Sequence, residues 1–170
     1  TGGKYLYFLA STDFGPHTSW LEMSSLDKPI RRAIYIAVLS ANEPSPFLPE
    51  TGDEPPFAVP GVEAPKPKPA STDVKIDFEG LSQRILPAGV RPADFANLTA
   101  GPAGTIFYTE ATTGVPVLKL NRYQIKPGAG APFIEGITRY TISADKKKLL
   151  YGAGPGRWGV VGTEAPAKVG

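Results

Sequence analysis

The sequence predicts an all-β protein made of repeated antiparallel sheets, and three observations support this prediction. Gly and Pro occur 19 times each, which supplies many turns between short strands. Apolar residues run almost without interruption through 5–10 and 33–39, as in strands that are buried on both faces. Three segments that end in tyrosine also look alike, and helix signals are weak along the whole chain.

The tyrosine-ended segments indicate a propeller. They end at Tyr7, Tyr108 and Tyr151, each with a turn, one polar residue and two large apolar residues before the tyrosine. Tyr108 and Tyr151 are 43 residues apart, and four-stranded propeller blades repeat at about 40–45 residues. The longer distance from Tyr7 to Tyr108 is explained by two insertions, at 11–31 and 43–72.

We therefore predict a partial β-propeller of about two to three four-stranded antiparallel blades with a proline-rich insertion. The expected parts are an incomplete first blade at 1–42 with an inserted loop at 11–31, a proline-rich surface insertion at 43–72, the outer strand of the first blade at 73–88, a second blade at 94–136, an incomplete third blade at 137–164 and a linker at 165–170. The expected strands are 4–11, 32–40, 74–78 continuing to 86, 96–100, 105–111, 117–125, 131–135, 138–143, 148–152 and 158–162. A closed ring needs about four to eight blades, so we expect a fragment whose open edges and faces favour association.

Composition excludes several classes of function. The net charge of +2 gives no reason to expect a nucleic-acid or membrane partner, and the absence of cysteine excludes disulfides and thiolate sites. No apolar run approaches the roughly 18 residues of a membrane span. We expect no cofactor and no metal, and we favour the cytoplasm slightly over the periplasm.

The one histidine, His17, raises the question of a catalytic triad with Asp13 and Ser19. All three residues fall within one loop, and the sequence has no G-x-S-x-G turn, so local turn and capping bonds are the preferred interpretation. Trp20 and Trp158 are possible ligand platforms, although packing between blades is the better interpretation for Trp158.

Carboxylates offer two further candidate sites. Asp73, Asp77 and Glu79 are close in sequence, but their spacing does not match a calcium loop, so we interpret them as a solvated strand edge. Glu110 and Glu135 could act as a glycosidase pair only at a suitable separation, which the sequence does not give.

Two turns are further candidates for a binding site. The glycine-rich stretch at 152–156 lacks the spacing of a phosphate loop and predicts a hairpin between two strands. The basic run at 146–148 predicts a solvated turn, with attraction of acidic peptide ends as the alternative. We assign no catalytic, cofactor-binding or metal-binding residue.

Several motifs resemble those of tricorn-protease-like proteins. The text V-K-I-D-F-E-G-L-S-Q-R-I-L-P at 74–87 resembles their I-D-x-x-G-(I/L)-x-x-R-(I/V) segment. The text at 140–151 resembles their S-x-D-G-K-x-L-x-Y blade motif, and 5–13 is also similar to these sequences. Lys146 replaces the usual glycine of the blade motif, so this corner is expected to use a type I turn with a bulge, or a longer loop.

The resemblance implies two N-terminal propellers, a helical segment, a PDZ-like domain and a C-terminal serine-protease core. This chain would form the last blades of the second propeller, and the catalytic Ser and His would lie in later domains. The implied function is a non-catalytic structural and peptide-gating segment of a serine peptidase. Its partners would be the remaining blades, the protease domains and peptides, in a homo-oligomeric full-length protein.

Two other functions remain open at this point. The chain could be a propeller-type protein- or ligand-binding module of an unrelated scaffold protein. It could also be a small stand-alone β-domain enzyme, which the lack of a catalytic set disfavours.

Overall fold

A computed structural model describes residues 2–12, 30–48, 74–112 and 114–169. In chain order, the elements in these residues are β1 (Tyr5–Ala10), β2 (Ala33–Val38), a 3₁₀ helix (Leu81–Arg84), β3 (Ile85–Pro87), β4 (Phe95–Ala100), β5 (Thr105–Ala111), β6 (Leu118–Gln124), β7 (Ala129–Ile137), β8 (Arg139–Ile142), β9 (Lys148–Gly152) and β10 (Trp158–Gly162). Most of both expected insertions lies outside the described residues.

The strands form three antiparallel sheets. The first sheet has the order β1-β2-β3, the second β4-β5-β6-β7 and the third β8-β9-β10. The second sheet is a complete four-stranded unit whose strands follow one another in sequence, as in a propeller blade. The predicted fold class, an all-β partial propeller, is therefore confirmed. The division of the chain into the expected domains stays a prediction.

The second sheet is packed on both of its faces. We call the contact between the first and second sheets the first layer; its buried residues are Tyr7, Ile34, Ile36, Ala88, Phe95, Ile106, Tyr108 and Tyr123. The contact between the second and third sheets is the second layer; its buried residues are Phe107, Leu120, Phe133, Ile134, Ile137, Leu149, Tyr151 and Ala153. Successive side chains of a strand point to opposite faces, so β5 sends Ile106 and Tyr108 into one layer and Phe107 into the other.

The outer faces of the first and third sheets are only partly covered. Leu6 is 55% exposed and Ile85 39% exposed on the first sheet, while Trp158 is 55% and Val160 63% exposed on the third. The described residues place no sheet over the Leu6 side of β1, so the expected burial of this apolar run on both faces stays a prediction.

The expected strand at 74–78 continuing to 86 is wrong over 74–78, and only the end of the continuation lies in a strand. Residues 74–78 are irregular, and the strand that pairs with β2 is Ile85–Pro87. The Arg84 side chain explains the difference, because it donates to the backbone oxygens of Val38 (3.1 Å), Glu79 (2.9 Å) and Asp77. These bonds hold the segment before β3 as a connection that bends around the arginine.

The three tyrosine-ended segments are not fully equivalent. Tyr108 lies on the second strand of the second sheet and faces the first sheet. Tyr151 lies on the second strand of the third sheet and faces the second sheet. Tyr7 instead faces the sheet that follows, where it shares the first layer with Tyr108. The position of Tyr151 also requires Gly159 opposite it, since a Cβ there would come within 2.4 Å of the tyrosine ring.

A tyrosine of the third sheet, Tyr140, joins that sheet to β4 and β5 of the second sheet. The register of β4 and β5 shifts between Ala96 and Thr99, and Asn97 in this bulge has φ +51°. The Asn97 amide donates to Thr109 Oγ1 at 3.1 Å. The Tyr140 hydroxyl lies within hydrogen-bonding distance of the carbonyl oxygens of Asn97 and of Phe107, the latter at 3.0 Å. A β-bulge re-aims the backbone, and here it presents oxygens to the neighbouring sheet.

The chain after β10 returns to the second sheet. Thr163 is buried, and its hydroxyl donates to the Lys146 oxygen at 2.7 Å. The Arg122 guanidinium donates to the oxygens of Thr163 and Glu164 and lies 5.5 Å from the centre of the Phe133 ring. The Ala167 amide donates to the Phe133 oxygen at 2.9 Å. The described part of the expected linker thus packs on β7.

The β8–β9 turn has the geometry expected from its lysine. The Lys146 amide donates to the Ser143 oxygen at 2.9 Å, and Lys146 itself has φ +62°. The Asp145 carboxylate accepts from Ser143 Oγ (2.5 Å) and from the Lys147 amide (3.1 Å). A four-residue turn whose last residue is left-handed is the arrangement of a type I turn with a bulge.

Phe107 should be far more important for stability than an apolar residue of the uncovered outer face. Phe107 is fully buried and its ring meets that of Phe133 edge to face at 5.0 Å. We expect Phe107→Ala to lower the free energy of unfolding by about 3–5 kcal/mol, and Val160→Ala, which is on the outer face of the third sheet, by about 0.5 kcal/mol or less. Urea unfolding measures both, and equal losses would contradict the double-sided packing of the second sheet.

Lys146→Gly should stabilise the chain. A left-handed conformation costs a residue with a Cβ roughly 1–2 kcal/mol, and glycine adopts it freely. We expect the free energy of unfolding to rise by about 1 kcal/mol, measured by thermal unfolding. The matched control is Lys147→Gly, which should lower stability because Lys147 has no positive φ. A loss of stability in Lys146→Gly would contradict the turn assignment.

Candidate functional site

The candidate site is a cleft of about 560 Å³ between residues 90–95 and the face of the second sheet. We call it the inter-sheet cleft. Its charged and polar lining consists of Arg31, Arg91, Asp94, Tyr108, Glu110, Lys119 and Asn121. Its volume lies within the roughly 300–1,000 Å³ range of ligand sites.

One wall of the cleft is held by the segment that joins the first and second sheets. Arg32 and Ala93 form an isolated antiparallel bridge with backbone bonds of 2.8 and 3.3 Å. The Arg32 guanidinium donates to the Asp94 carboxylate and to the Phe95 oxygen, each at 3.1 Å. These contacts position Asp94 at the mouth and Phe95 at the base, and they neutralise the Asp94 charge.

The opposite wall is a cross-strand row of charges. Glu110 on β5 is opposite Lys119 on β6, and Lys119 is opposite Glu135 on β7. The Lys119 ammonium lies 3.7 Å from the Glu135 carboxylate. The buried Asn121 amide donates to the Glu110 carboxylate at 2.8 Å. Opposite charges side by side stabilise a sheet, and here they also leave polar groups facing the cleft.

Tyr108 lines the base of the cleft and packs edge to face on Phe95, with ring centres 4.8 Å apart. Burial above all, together with the negative charge of Glu110, raises the pKa of Tyr108 to about 12. The phenol therefore stays neutral at physiological pH. The base of the cleft is aromatic and neutral, whereas its walls carry three basic and two acidic side chains, an arrangement suited to binding rather than to proton transfer.

The Glu110 and Glu135 pair considered from the sequence does not share a cavity. Glu110 lines the inter-sheet cleft, and Glu135 lines a separate cavity of about 580 Å³ beside residues 166–169. Lys119 lies between them in the row. A glycosidase needs two carboxyl groups on either side of one bond, which this arrangement does not provide.

The other carboxylates have structural roles or lie outside the described residues. Asp77 accepts from the Ala41 amide at 2.9 Å and from Ser40 Oγ at 3.3 Å, and these bonds, the first above all, lower its pKa. Asp13, His17 and Ser19, together with Trp20 and Asp73, are among the residues that the structure does not describe.

The two candidate turns are where the sequence places them. The glycine-rich stretch forms the hairpin between β9 and β10, with Gly154 at φ +104° and Gly156 at φ +70°. The basic run occupies the β8–β9 turn. The packing of Trp158 between blades stays a prediction, because its ring lies on the outer face of the third sheet, 5.3 Å from the Arg139 guanidinium, where the described residues place no further sheet.

Sequence reasoning missed the inter-sheet cleft itself. Arg31, Arg91 and Asp94 lie in connections without a motif, so no local signal marks them. The pairing of β5 with β6 could have been used, since Glu110 and Lys119 then fall opposite each other. Within residues 2–12, 30–48, 74–112 and 114–169, no three potential metal ligands cluster, and no helix has the length and apolar character that a membrane span requires.

Comparison with known proteins supports the tricorn-like reading. No protein-family model matches the chain. The chain is 28% identical over 164 residues to tricorn protease homolog 1 of Streptomyces coelicolor, with 87% of this chain and 15% of the relative covered. A solved structure described as the crystal structure of the tricorn protease matches 96% of this chain with a TM-score of 0.59 and 15% identity, covering 15% of that chain.

The resemblance read from the sequence is therefore confirmed. The chain is tricorn-like in sequence, and the structural match shows that its fold is that of a segment of the tricorn protease structure. The chain spans about 15% of the length of each of these two relatives.

The buried tyrosines should make stability fall at alkaline pH. Burial raises the pKa of Tyr7, Tyr108, Tyr123 and Tyr140 from 10.0 to about 12. A raised folded-state pKa contributes stability that is fully present below the unfolded value and is lost above it. We expect the free energy of unfolding to fall as pH rises from about 10 to about 12, measured by urea unfolding at several pH values.

Tyrosinate absorbance provides the control for this prediction. In the folded chain the buried tyrosines should ionise later than free tyrosine, and Tyr140→Phe should remove one late-ionising group. Ionisation of every tyrosine near pH 10 in a chain that is still folded would contradict the burial of these hydroxyls.

Proposed function

We propose that this chain forms stacked, non-catalytic blades within a larger tricorn-like serine peptidase, where it supports neighbouring blades and helps guide peptides. The observation that carries the proposal is the second sheet, which is covered on both faces by neighbouring sheets. A blade packed in this way has little open face for a deep catalytic pocket, and an open part of one face lines the inter-sheet cleft.

The similarity to tricorn protease homolog 1 supports the placement of this chain in a peptidase, since it extends over 87% of the chain. The uncovered apolar side chains on the outer faces, such as Leu6 and Val160, support further blades as partners. Association of full-length copies and the position of the chain at the end of a second propeller belong to the same proposal.

The inter-sheet cleft is the part of the chain that we propose contacts peptides. Arg31, Arg91 and Lys119 offer donors to peptide carbonyl and carboxylate oxygens, and Glu110 offers an acceptor to amides. The aromatic base formed by Phe95 and Tyr108 would contact apolar side chains of the peptide. Such a mixed lining suits a path along which peptides of varied sequence move.

Peptidase assays on two samples test the proposal. The first sample is the 170-residue chain and the second is the gene product that contains it. We expect peptide hydrolysis by the gene product and none by the chain alone. Hydrolysis by the chain alone would overturn the non-catalytic role, and a gene product that binds peptides without cleaving them would favour a binding module of a scaffold protein.

A charge variant tests the guiding role within the gene product. Arg91→Ala should raise KM for peptides several-fold with little change in kcat, because it removes a donor that does not touch the reacting bond. Lys147→Ala, an exposed lysine of the β8–β9 turn, is the matched control and should change neither. Equal kinetics for both variants would exclude the cleft from the peptide path.

A further inference from the structure

Two tyrosine hydroxyls are buried without a hydrogen-bond partner among the described residues. Tyr7 is 9% exposed and Tyr123 is 0% exposed, and the hydroxyl oxygens of both are shielded from solvent. No group in the described part of the chain forms a hydrogen bond with either oxygen. Buried polar groups are nearly always hydrogen-bonded, so two orphans in one small region require an explanation.

The two hydroxyls come from opposing sheets and lie in the same layer. Tyr7 lies on β1 opposite Ile36, and Tyr123 lies on β6 opposite Ile106. All four side chains belong to the first layer. The groups are close enough that a charge on Tyr123 would raise the pKa of Tyr7.

A third tyrosine connects this region with the inter-sheet cleft. Tyr123 is opposite Gly130 on β7, and a Cβ at Gly130 would come within 2.6 Å of the Tyr108 hydroxyl oxygen. The Tyr108 hydroxyl therefore lies beside the strand that borders Tyr123. Tyr108 also lines the cleft. The hydroxyls of Tyr7, Tyr123 and Tyr108 therefore form a row that leads from the buried layer toward the cleft and the solvent.

We propose that the hydroxyl groups of Tyr7 and Tyr123 share an internal water molecule between the first and second sheets. Water both donates and accepts, so it can satisfy two hydroxyls that do not bond to each other. Among the described residues no acidic or basic side chain is buried, so a neutral ligand fits this layer and an ion would remain uncompensated. The cleft at Tyr108 is the route by which the water exchanges.

The shared water links the two sheets across an otherwise apolar layer. Apolar packing alone tolerates small sliding of one sheet on another, whereas a hydrogen-bonded bridge has one preferred geometry. Tyr7 and Tyr123 thus act as positioning residues for the first and second sheets. This inference does not depend on the peptidase proposal, because it concerns only the described layer.

A double-mutant cycle tests the proposal through the ratio of folded to unfolded chain. Tyr7→Phe and Tyr123→Phe should each lower this ratio about fivefold to tenfold, because each leaves the water and the other hydroxyl with fewer partners. The double variant should lower it by no more than about tenfold, far less than the product of the single effects. Tyr35→Phe, on the outer face of the first sheet, is the control and should change the ratio less than about twofold.

The proposal would be overturned if each single variant left the ratio of folded to unfolded chain unchanged or raised it, and if the effect of the double variant equalled the product of the single effects. Such a result would indicate a dry layer with unpaired hydroxyls. A crystal structure of the chain provides the second measurement. It should show an ordered water within hydrogen-bonding distance of both hydroxyl oxygens. A direct bond between the two hydroxyls, or a protein group bonded to each, would overturn the proposal even if the cycle shows coupling.

Discussion

The burial of the second sheet on both faces is the constraint on which the rest of the structure depends. Alternation along β5 sends Tyr108 to the first layer and Phe107 to the second, so one strand contributes to two cores. A single sheet in water would expose one of these rows. The first and third sheets are therefore required for the second sheet to be stable, and each keeps an outer face that has no cover within the described residues.

Hydrogen bonds between the sheets add to the apolar packing of the two layers. The Tyr140 hydroxyl of the third sheet donates to the Asn97 oxygen in the bulge of β4, and the Arg122 side chain of the second sheet donates to the Thr163 oxygen after β10. Arg32 joins the first sheet to the start of β4. Each contact supplies a hydrogen-bond donor to a backbone oxygen. In each, the side chain belongs to one sheet and the oxygen belongs to a neighbouring sheet or to a connecting segment. Such contacts fix how the layers are aligned, and the inter-sheet cleft is a consequence of that alignment.

The sequence predicted the fold where the local pattern and the packing agree. The tyrosine-ended segments of β5 and β9 and the 43-residue spacing between Tyr108 and Tyr151 identify equivalent strands of adjacent sheets. The error at 74–78 arose because the alternation of Val74, Ile76 and Phe78 looks like an edge strand. Arg84 instead donates to the backbone oxygens of Asp77, Glu79 and Val38 and holds this segment as an irregular connection, in which the Asp77 amide still donates to the Leu39 oxygen. The cleft could not be predicted, because Arg91 and Glu110 come together only through the crossing between the first and second sheets.

Hydrogen exchange of the backbone amides tests the central claim, that the second sheet is the stable centre of a stack, most directly. β5 and β6 are paired on both sides and packed on both faces, whereas β9 is also paired on both sides but has one open face. Amides whose hydrogen bonds open only when the whole structure unfolds exchange slowest. Slower exchange in β5 and β6 than in β9 is the expected result. Equal exchange in all three strands would mean that the sheets are stable independently of one another, which would contradict the stacked-blade account.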